Sequence, residues 1–151
     1  MARHLVMALL SSGGWRVRIT DVGPDATLQP YENDGLLGAA LRDGRATYIS
    51  ADVSKLDQLT KGVDTVFHTA APDPTNNDFQ LHYKVNVEGT KNVIQACQTS
   101  KVKALIYTST SGVVFDGVDG LFGVDESTPY PDKLICSSAD KVVSLVSRCV
   151  H

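Results

Sequence analysis

The chain has 151 residues, 42% of them apolar and 21% charged, with 14 Lys and Arg against 17 Asp and Glu for a net charge of −3. This size and balance suit one soluble globular domain; they speak against a disordered or fibrous chain, and they offer no basic surface for nucleic-acid phosphates. No run approaches the roughly 20 apolar residues that span a bilayer, Met-Ala-Arg-His-Leu leaves no room for a cleavable signal, and the 3 cysteines (Cys97, Cys136, Cys149) form no C-x-x-C pair, so a reducing interior without a metal cage or disulfide framework is expected.

Ala2, Leu5, Val6, Leu9 and Leu10 fall at helical spacing and predict a helix over 2–12, ended by Gly13-Gly14. Trp15-Arg16-Val17-Arg18-Ile19-Thr20 alternates and predicts a strand, stopped at Asp21-Val22-Gly23-Pro24. Residues 24–45 read as a loop with a short helix around Leu36 to Leu41. Ala46 to Ser50 predicts a second strand, 54–61 a brief helix closed by Gly62, and Thr65-Val66-Phe67-His68 a buried strand. Helical spacing returns through Tyr83, Val85, Val87, Val93, Ile94 and Cys97, giving a helix over 79–99. Ala104 to Thr108 is a fourth strand, a Gly- and Asp-rich loop runs to Pro131, and 137–149 is a last helix. Strands alternating with helices at this spacing imply βαβ units and a mostly parallel sheet. The chain opens on a helix, whereas a doubly wound sheet normally opens on the strand that becomes its centre.

Several residues sit where such a sheet performs chemistry, and each has a plainer reading beside the functional one. Asp21, at the carboxyl end of a strand, suits hydrogen bonds from adenosine ribose hydroxyls, and its charge would repel a 2′-phosphate; an isolated aspartate is more commonly a cap or turn residue. Asp52 stands alike after the next strand, able to receive an adenine amino group or to cap the helix starting near Ser54. His68-Thr69-Ala70-Ala71 gives small residues that let a ligand approach the backbone, although His68 reads equally as a satisfied interior histidine. Gly89, in Asn86-Val87-Glu88-Gly89-Thr90, costs a helix about 1 kcal/mol relative to alanine and so implies close packing against a neighbour. Asn86 can orient a water or backbone group or be a buried structural amide. The hydroxyls of Thr108-Ser109-Thr110-Ser111 can hold a substrate oxygen or satisfy loose backbone groups.

The order of these features, with the words "VFHTAAPDP", "NVEGTKNVIQAC", "LIYTSTSGVVFDGVDG" and "DESTPYPDK", resembles the extended short-chain dehydrogenases/reductases from about residue 1 to about residue 141. Within them the likeness is to 3β-hydroxysteroid dehydrogenases, nearest to the plant-type sterol-4α-carboxylate 3-dehydrogenases (decarboxylating). The resemblance implies hydride transfer from the 3β-hydroxyl of a sterol to NAD, after which the new ketone stabilises the carbanion left when the neighbouring 4-carboxylate departs. It implies a catalytic Ser/Thr, Tyr and Lys, the Tyr acting as base with its pKa lowered by the Lys ammonium and the nicotinamide charge. Matched position by position, Asp21 is the ribose-binding acid favouring NAD over NADP, Asp52 and Val53 the adenine contacts, Ala70, Ala71 and Pro72 the cofactor-lining turn, and Asn86 the helix asparagine. Thr110 matches the catalytic hydroxyl, with Ser109 or Ser111 as register alternatives, and no metal is implied. The family also implies the endoplasmic reticulum, whereas this sequence by itself reads as cytoplasmic.

Two departures qualify the match. No G-x-G-x-x-G occurs in the 151 residues; only Ala2 can represent the end of that motif, whose amides and helix N-terminus hold pyrophosphate. The expected fold is therefore α/β, an incomplete Rossmann-like doubly wound parallel sheet lacking its first strand and glycine loop. In the 3-2-1-4-5-6 order, the missing strand would lie between those ending at Asp21 and His68, and both would lose a neighbour. At the other end none of the 5 tyrosines is followed by Lys four positions on. The nearest equivalent is Ser137-Ser138-Ala139-Asp140-Lys141, where Lys141 reads either as the family's lysine or as a solvated helix lysine and Ser137 stands where the tyrosine belongs, and a serine hydroxyl is a far weaker acid than a phenol. Residues 1–151 are expected to form a partial NAD-binding domain, truncated at both ends, with a divergent tail from about 142 and no separate substrate domain. This chain alone is expected to be inactive. Two alternatives stand beside this: another extended reductase acting on a ketone or alcohol, which would usually want a basic residue near Asp21, or a non-catalytic truncated isoform that self-associates or pairs with a full-length homologue.

Overall fold

The computed structural model describes residues 2–26, 28, 35–53, 60–73, 75–76, 78–114, 120, 122–125 and 127–129. They belong to two compact units, Met1–Asp52 and Val53–His151.

In the first unit, α1 (Ala2–Ser12) runs to Gly13 and Gly14, whose φ values of 71° and 78° are open to glycine at little strain. The chain then enters β1 (Val17–Asp21), one or two residues later than the alternation predicts. The apolar patch near Leu36 becomes α2 (Leu36–Asp43), closed by Gly44 in the left-handed conformation (φ 80°), and leads to β2 (Ala46–Ser50). β1 and β2 are parallel, with Val17 opposite Ala46 and Asp21 opposite Ser50. The core is apolar throughout: Leu10, Leu37, Ala40 and Ala46 are buried, flanked by Val6, Met7, Val17, Ile19, Leu28, Leu36 and Leu41. Ala40 and Ala46 are 0% and 1% exposed, small side chains where α2 packs on β2.

In the second unit, β3 (Thr65–His68) and β4 (Ala104–Tyr107) are parallel, with Thr65 opposite Ala104 and His68 opposite Tyr107. Their crossover is one helical run with a change of winding: α3 (Phe79–His82), a π-helical stretch (Tyr83–Gly89) and α4 (Thr90–Thr99). Periodicity foretells the 79–99 run, but not its π-helical centre, which inserts wider i→i+5 turns. Val93, Ala96 and Cys97 on α4 are buried with Val53, Val66, Val102 and Leu105 around them, and Val87 is buried beside Tyr83 and Tyr107. α4 ends where Thr60 Oγ1 donates to the Ala96 carbonyl (3.1 Å) and Lys101 takes a positive φ of 56°.

Both parallel pairs are joined through helices, as βαβ units require. Among the described residues β1 is hydrogen-bonded to β2 alone and β3 to β4 alone, so the strands ending at Asp21 and His68 each have one strand neighbour, as the missing-strand expectation requires. Two details differ from expectation. Thr60 and Lys61 lie in a bend and a turn rather than in a helix over 54–61, whose other residues fall outside the described ones, and a 3-10 turn (Ser111–Val114) interrupts the loop after β4. The helix expected at 137–149, and with it Ser137 and Lys141, lies outside the described residues.

Candidate functional site

The carboxyl ends of parallel strands are where open α/β sheets bind ligands, and most of the candidate residues lie there. In the first unit, Asp21 closes β1 with an exposed side chain, and Asp52 stands two residues beyond β2. The ladder continues past the strands, since Ala51 N–H donates to the Asp21 carbonyl at 2.8 Å; Asp21 and Asp52 thus leave the same end of one sheet. Asp21 Oδ1 accepts from its neighbour's amide, Val22 N–H, at 2.7 Å. The Tyr48 hydroxyl donates to the Gly23 carbonyl at 2.8 Å and reaches the Asp21 carbonyl at 3.5 Å. Partial desolvation of the phenol, then the charges of Asp21 and Asp25, raise the Tyr48 pKa, so the hydroxyl stays a donor at neutral pH. The turn that displays Asp21 is therefore held from both sides.

In the second unit, β3 is followed by Ala70 and Ala71, both exposed, and half-buried Pro72. Thr108 N–H donates to the His68 carbonyl at 3.1 Å, so the 69–72 segment and the Thr108–Thr110 hydroxyls depart from the same edge of β3 and β4. Thr110 is exposed, and its carbonyl accepts from Val113 N–H at 3.4 Å, opening the 3-10 turn.

The "NVEGT" word proves to be a packing surface. A Cβ on Gly89 would sit 2.7 Å from Val53 Cγ2, so the glycine is required by the close approach of Val53, whose carbonyl also accepts from Asn92 Nδ2 at 3.4 Å. The helix thus fixes the residue matched to the adenine contact. Thr90 Oγ1 shares a 2.8 Å hydrogen bond with His68 Nε2. His68 is 4% exposed, burial lowers its pKa, and its ring lies 5.7 Å from that of Tyr107; it is a satisfied interior histidine. Asn86 is buried within the π-helical stretch.

Sequence reasoning missed three side chains. Tyr48 secures the Asp21 turn, Thr90 partners His68, and His82, 1% exposed, donates from Nε2 to the Asn76 carbonyl at 2.7 Å, tethering the loop after Pro72. His82 Nδ1 is buried without a partner among the described residues. No local signal marks these roles, because each partner lies 6 to 25 residues away in the chain. Among the described residues no helix is long and apolar enough to cross a membrane.

The model of the 3-beta hydroxysteroid dehydrogenase/isomerase family matches residues 1–140. The chain belongs to that family. It is 52% identical over 135 residues to 3beta-hydroxysteroid-dehydrogenase/decarboxylase isoform 1 of Arabidopsis thaliana, a match covering 87% of this chain and 31% of that protein. It is 51% identical over 138 residues to the decarboxylating sterol-4-alpha-carboxylate 3-dehydrogenase of Homo sapiens, covering 89% of this chain and 32% of that one. The chain thus spans about a third of the length of these relatives. Among solved structures it is similar to the UDP-glucuronic acid 4-epimerase of Bacillus cereus in complex with NAD, at a TM-score of 0.73 and 25% identity, covering 97% of this chain and 47% of that one. UDP-glucose 4-epimerase of Bifidobacterium longum, in complex with NAD+ and UDP, matches at a TM-score of 0.72 and 18% identity, covering 99% and 45%. The fold is an incomplete Rossmann-like doubly wound parallel sheet.

Proposed function

We propose that these 151 residues form the adenosine-side portion of an NAD-dependent dehydrogenase that oxidises the 3β-hydroxyl of a sterol 4α-carboxylate. The observation that carries the reading is Asp21: an exposed carboxylate at the carboxyl end of a parallel strand, on a turn fixed by Tyr48 and Ala51, in a chain of this family. The arrangement fits the ribose end of NAD, whose 2′- and 3′-hydroxyls can donate to the carboxylate, while the same charge disfavours a 2′-phosphate. Asp52 and Val53 would border the adenine, and exposed Ala70 and Ala71, with no side chain beyond Cβ, would let the cofactor lie against the backbone. Pro72 and Asn86 are matched to the cofactor-lining turn and to the helix asparagine by the family resemblance.

When bound, NAD supplies the hydride acceptor. Thr110, or Ser109 or Ser111 in an adjacent register, would hold the 3-hydroxyl oxygen, and Lys141 would hold the nicotinamide ribose. As the C3–H bond breaks, the hydroxyl proton must pass to a base. Ser137 stands at the position of the family's tyrosine, and an alkyl hydroxyl is far too weak an acid to serve in its place. The G-x-G-x-x-G motif that cradles pyrophosphate likewise does not occur in this sequence. The names of the relatives support the substrate class, and a membrane-soluble sterol favours work at the endoplasmic reticulum surface.

The purified 151-residue chain, given a sterol 4α-carboxylate and NAD, should produce no substrate-dependent NADH absorbance. Measurable turnover would overturn the reading that Ser137 leaves this chain without a competent base. A second reading, a non-catalytic chain that pairs with a homologue, is favoured by β1 and β3 each having one strand neighbour among the described residues, since an open strand edge invites pairing. A concentration-independent monomer in size-exclusion chromatography would sink that reading.

A further inference from the structure

We infer that Tyr48 is the positioning residue that sets the preference of this site for an unmodified adenosine ribose. The inference rests on the reading of Asp21 as the ribose-binding acid. In β2, Tyr48 stands opposite Ile19 of β1, yet its hydroxyl reaches past the end of β1 to the turn beyond. There it donates to the Gly23 carbonyl at 2.8 Å, with the Asp21 carbonyl at 3.5 Å. Gly23 is close enough that an added Cβ would come within 3.3 Å of the Tyr48 oxygen, so the contact is tight as well as directional.

The consequence falls on the Asp21 carboxylate. Its Oδ1 accepts from Val22 N–H at 2.7 Å, which orients the group only while Val22 keeps its place between two anchored neighbours. Asp21 is held on one side by Ala51 N–H through its carbonyl at 2.8 Å, and Gly23 on the other by Tyr48. With the turn fixed, Oδ2 is left to receive ribose hydroxyls, and the negative charge stays where a 2′-phosphate would lie. Released from Tyr48, the turn can swing the carboxylate away, which weakens the diol contact and relaxes the repulsion together. Tyr48 thereby acts on selectivity through Asp21, without touching the ligand.

The test uses the 151-residue chain, labelled for amide NMR, with adenosine and adenosine 2′-monophosphate as probes of the diol and of its phosphorylated form. Tyr48→Phe removes only the hydroxyl, and Gly23→Ala pushes the carbonyl and the hydroxyl apart by a separate route. Both should speed hydrogen exchange at the Val22 amide at least about threefold, as loss of one local anchor implies. Both should also narrow the affinity ratio of adenosine to adenosine 2′-monophosphate about fivefold, the weight of one ordinary hydrogen bond. Asp21→Asn should narrow the ratio without altering the Tyr48 contact. If Asp21→Asn narrows it while both other variants leave ratio and exchange unchanged, the role of Tyr48 is overturned and the ribose reading stands. If Asp21→Asn leaves the ratio unchanged, or the unaltered chain shows no preference for adenosine, the ribose reading fails and takes this inference with it.

Discussion

The two units bury different chemistry. In Met1–Asp52 every described buried side chain in the core is aliphatic, whereas all the described buried polar residues, Thr60, His68, His82, Asn86 and Thr90, lie in Val53–His151. An apolar core is fixed by volume and tolerates many sequences; a polar interior is fixed by partners, and each group left unpaired carries a penalty. The first unit therefore presents a stable edge for Asp21, while the second is tuned by specific hydrogen bonds around its crossover helix.

The largest effect should come from the apolar side of this contrast. Leu10→Ala should destabilise the first unit by about 2–5 kcal/mol, the range for an emptied leucine site, read from the urea midpoint of the fluorescence of Trp15, the single tryptophan. A loss well under 1 kcal/mol would show that α1 is not part of that core. Gly89→Ala should destabilise the second unit by about 1–3 kcal/mol, because the new methyl must displace Val53 Cγ2 from 2.7 Å. Amide resonances of α4 in urea report it, and an unchanged midpoint would mean that Val53 yields freely.

Acid should separate the units. Burial lowers the His68 pKa below its ordinary 6.5, so between the folded and unfolded pKa values the unfolded chain binds the extra proton. The stability tied to His68 is thus complete above about pH 6.5 and is lost as pH falls from there toward the folded value. The urea midpoint of the second unit should drop between pH 7.5 and 5.5, and His68→Gln, which keeps a hydrogen-bonding group for Thr90, should flatten that drop. An equal slope in the variant would assign the acid sensitivity elsewhere. The smallest effect is a gain: Lys101 holds a φ of 56°, and Lys101→Gly should stabilise α4 by about 0.5–1 kcal/mol, seen as a rise in thermal midpoint.

The same contrast explains what could be read from sequence. Apolar spacing and terminal glycines are local signals, and they locate α1, β1, α2 and β2 to within a residue or two, as they do β3 and β4. Gly89 was legible as a point of close approach because glycine in a helix demands a reason; that Val53 is the reason depends on contact across 36 residues of chain. The π-helical winding of Tyr83–Gly89 follows from tertiary packing that no periodicity encodes. The place of Asp21 at the carboxyl end of β1 was legible, but the grip of Tyr48 on its turn was not, because a tyrosine in a strand reads simply as a strand former. His68 invited a functional reading, and its partner Thr90 shows it to be structural.

The central claim is that Asp21 and its turn receive the adenosine ribose of NAD in a sequence that contains no G-x-G-x-x-G motif. Titrating the chain with NAD while following its amide resonances tests this directly. The account predicts shifts centred on Asp21, Val22 and Gly23 with a dissociation constant weaker than about 1 mM, the regime of a few polar contacts. Micromolar affinity, or saturation that leaves those three amides unmoved, would contradict it.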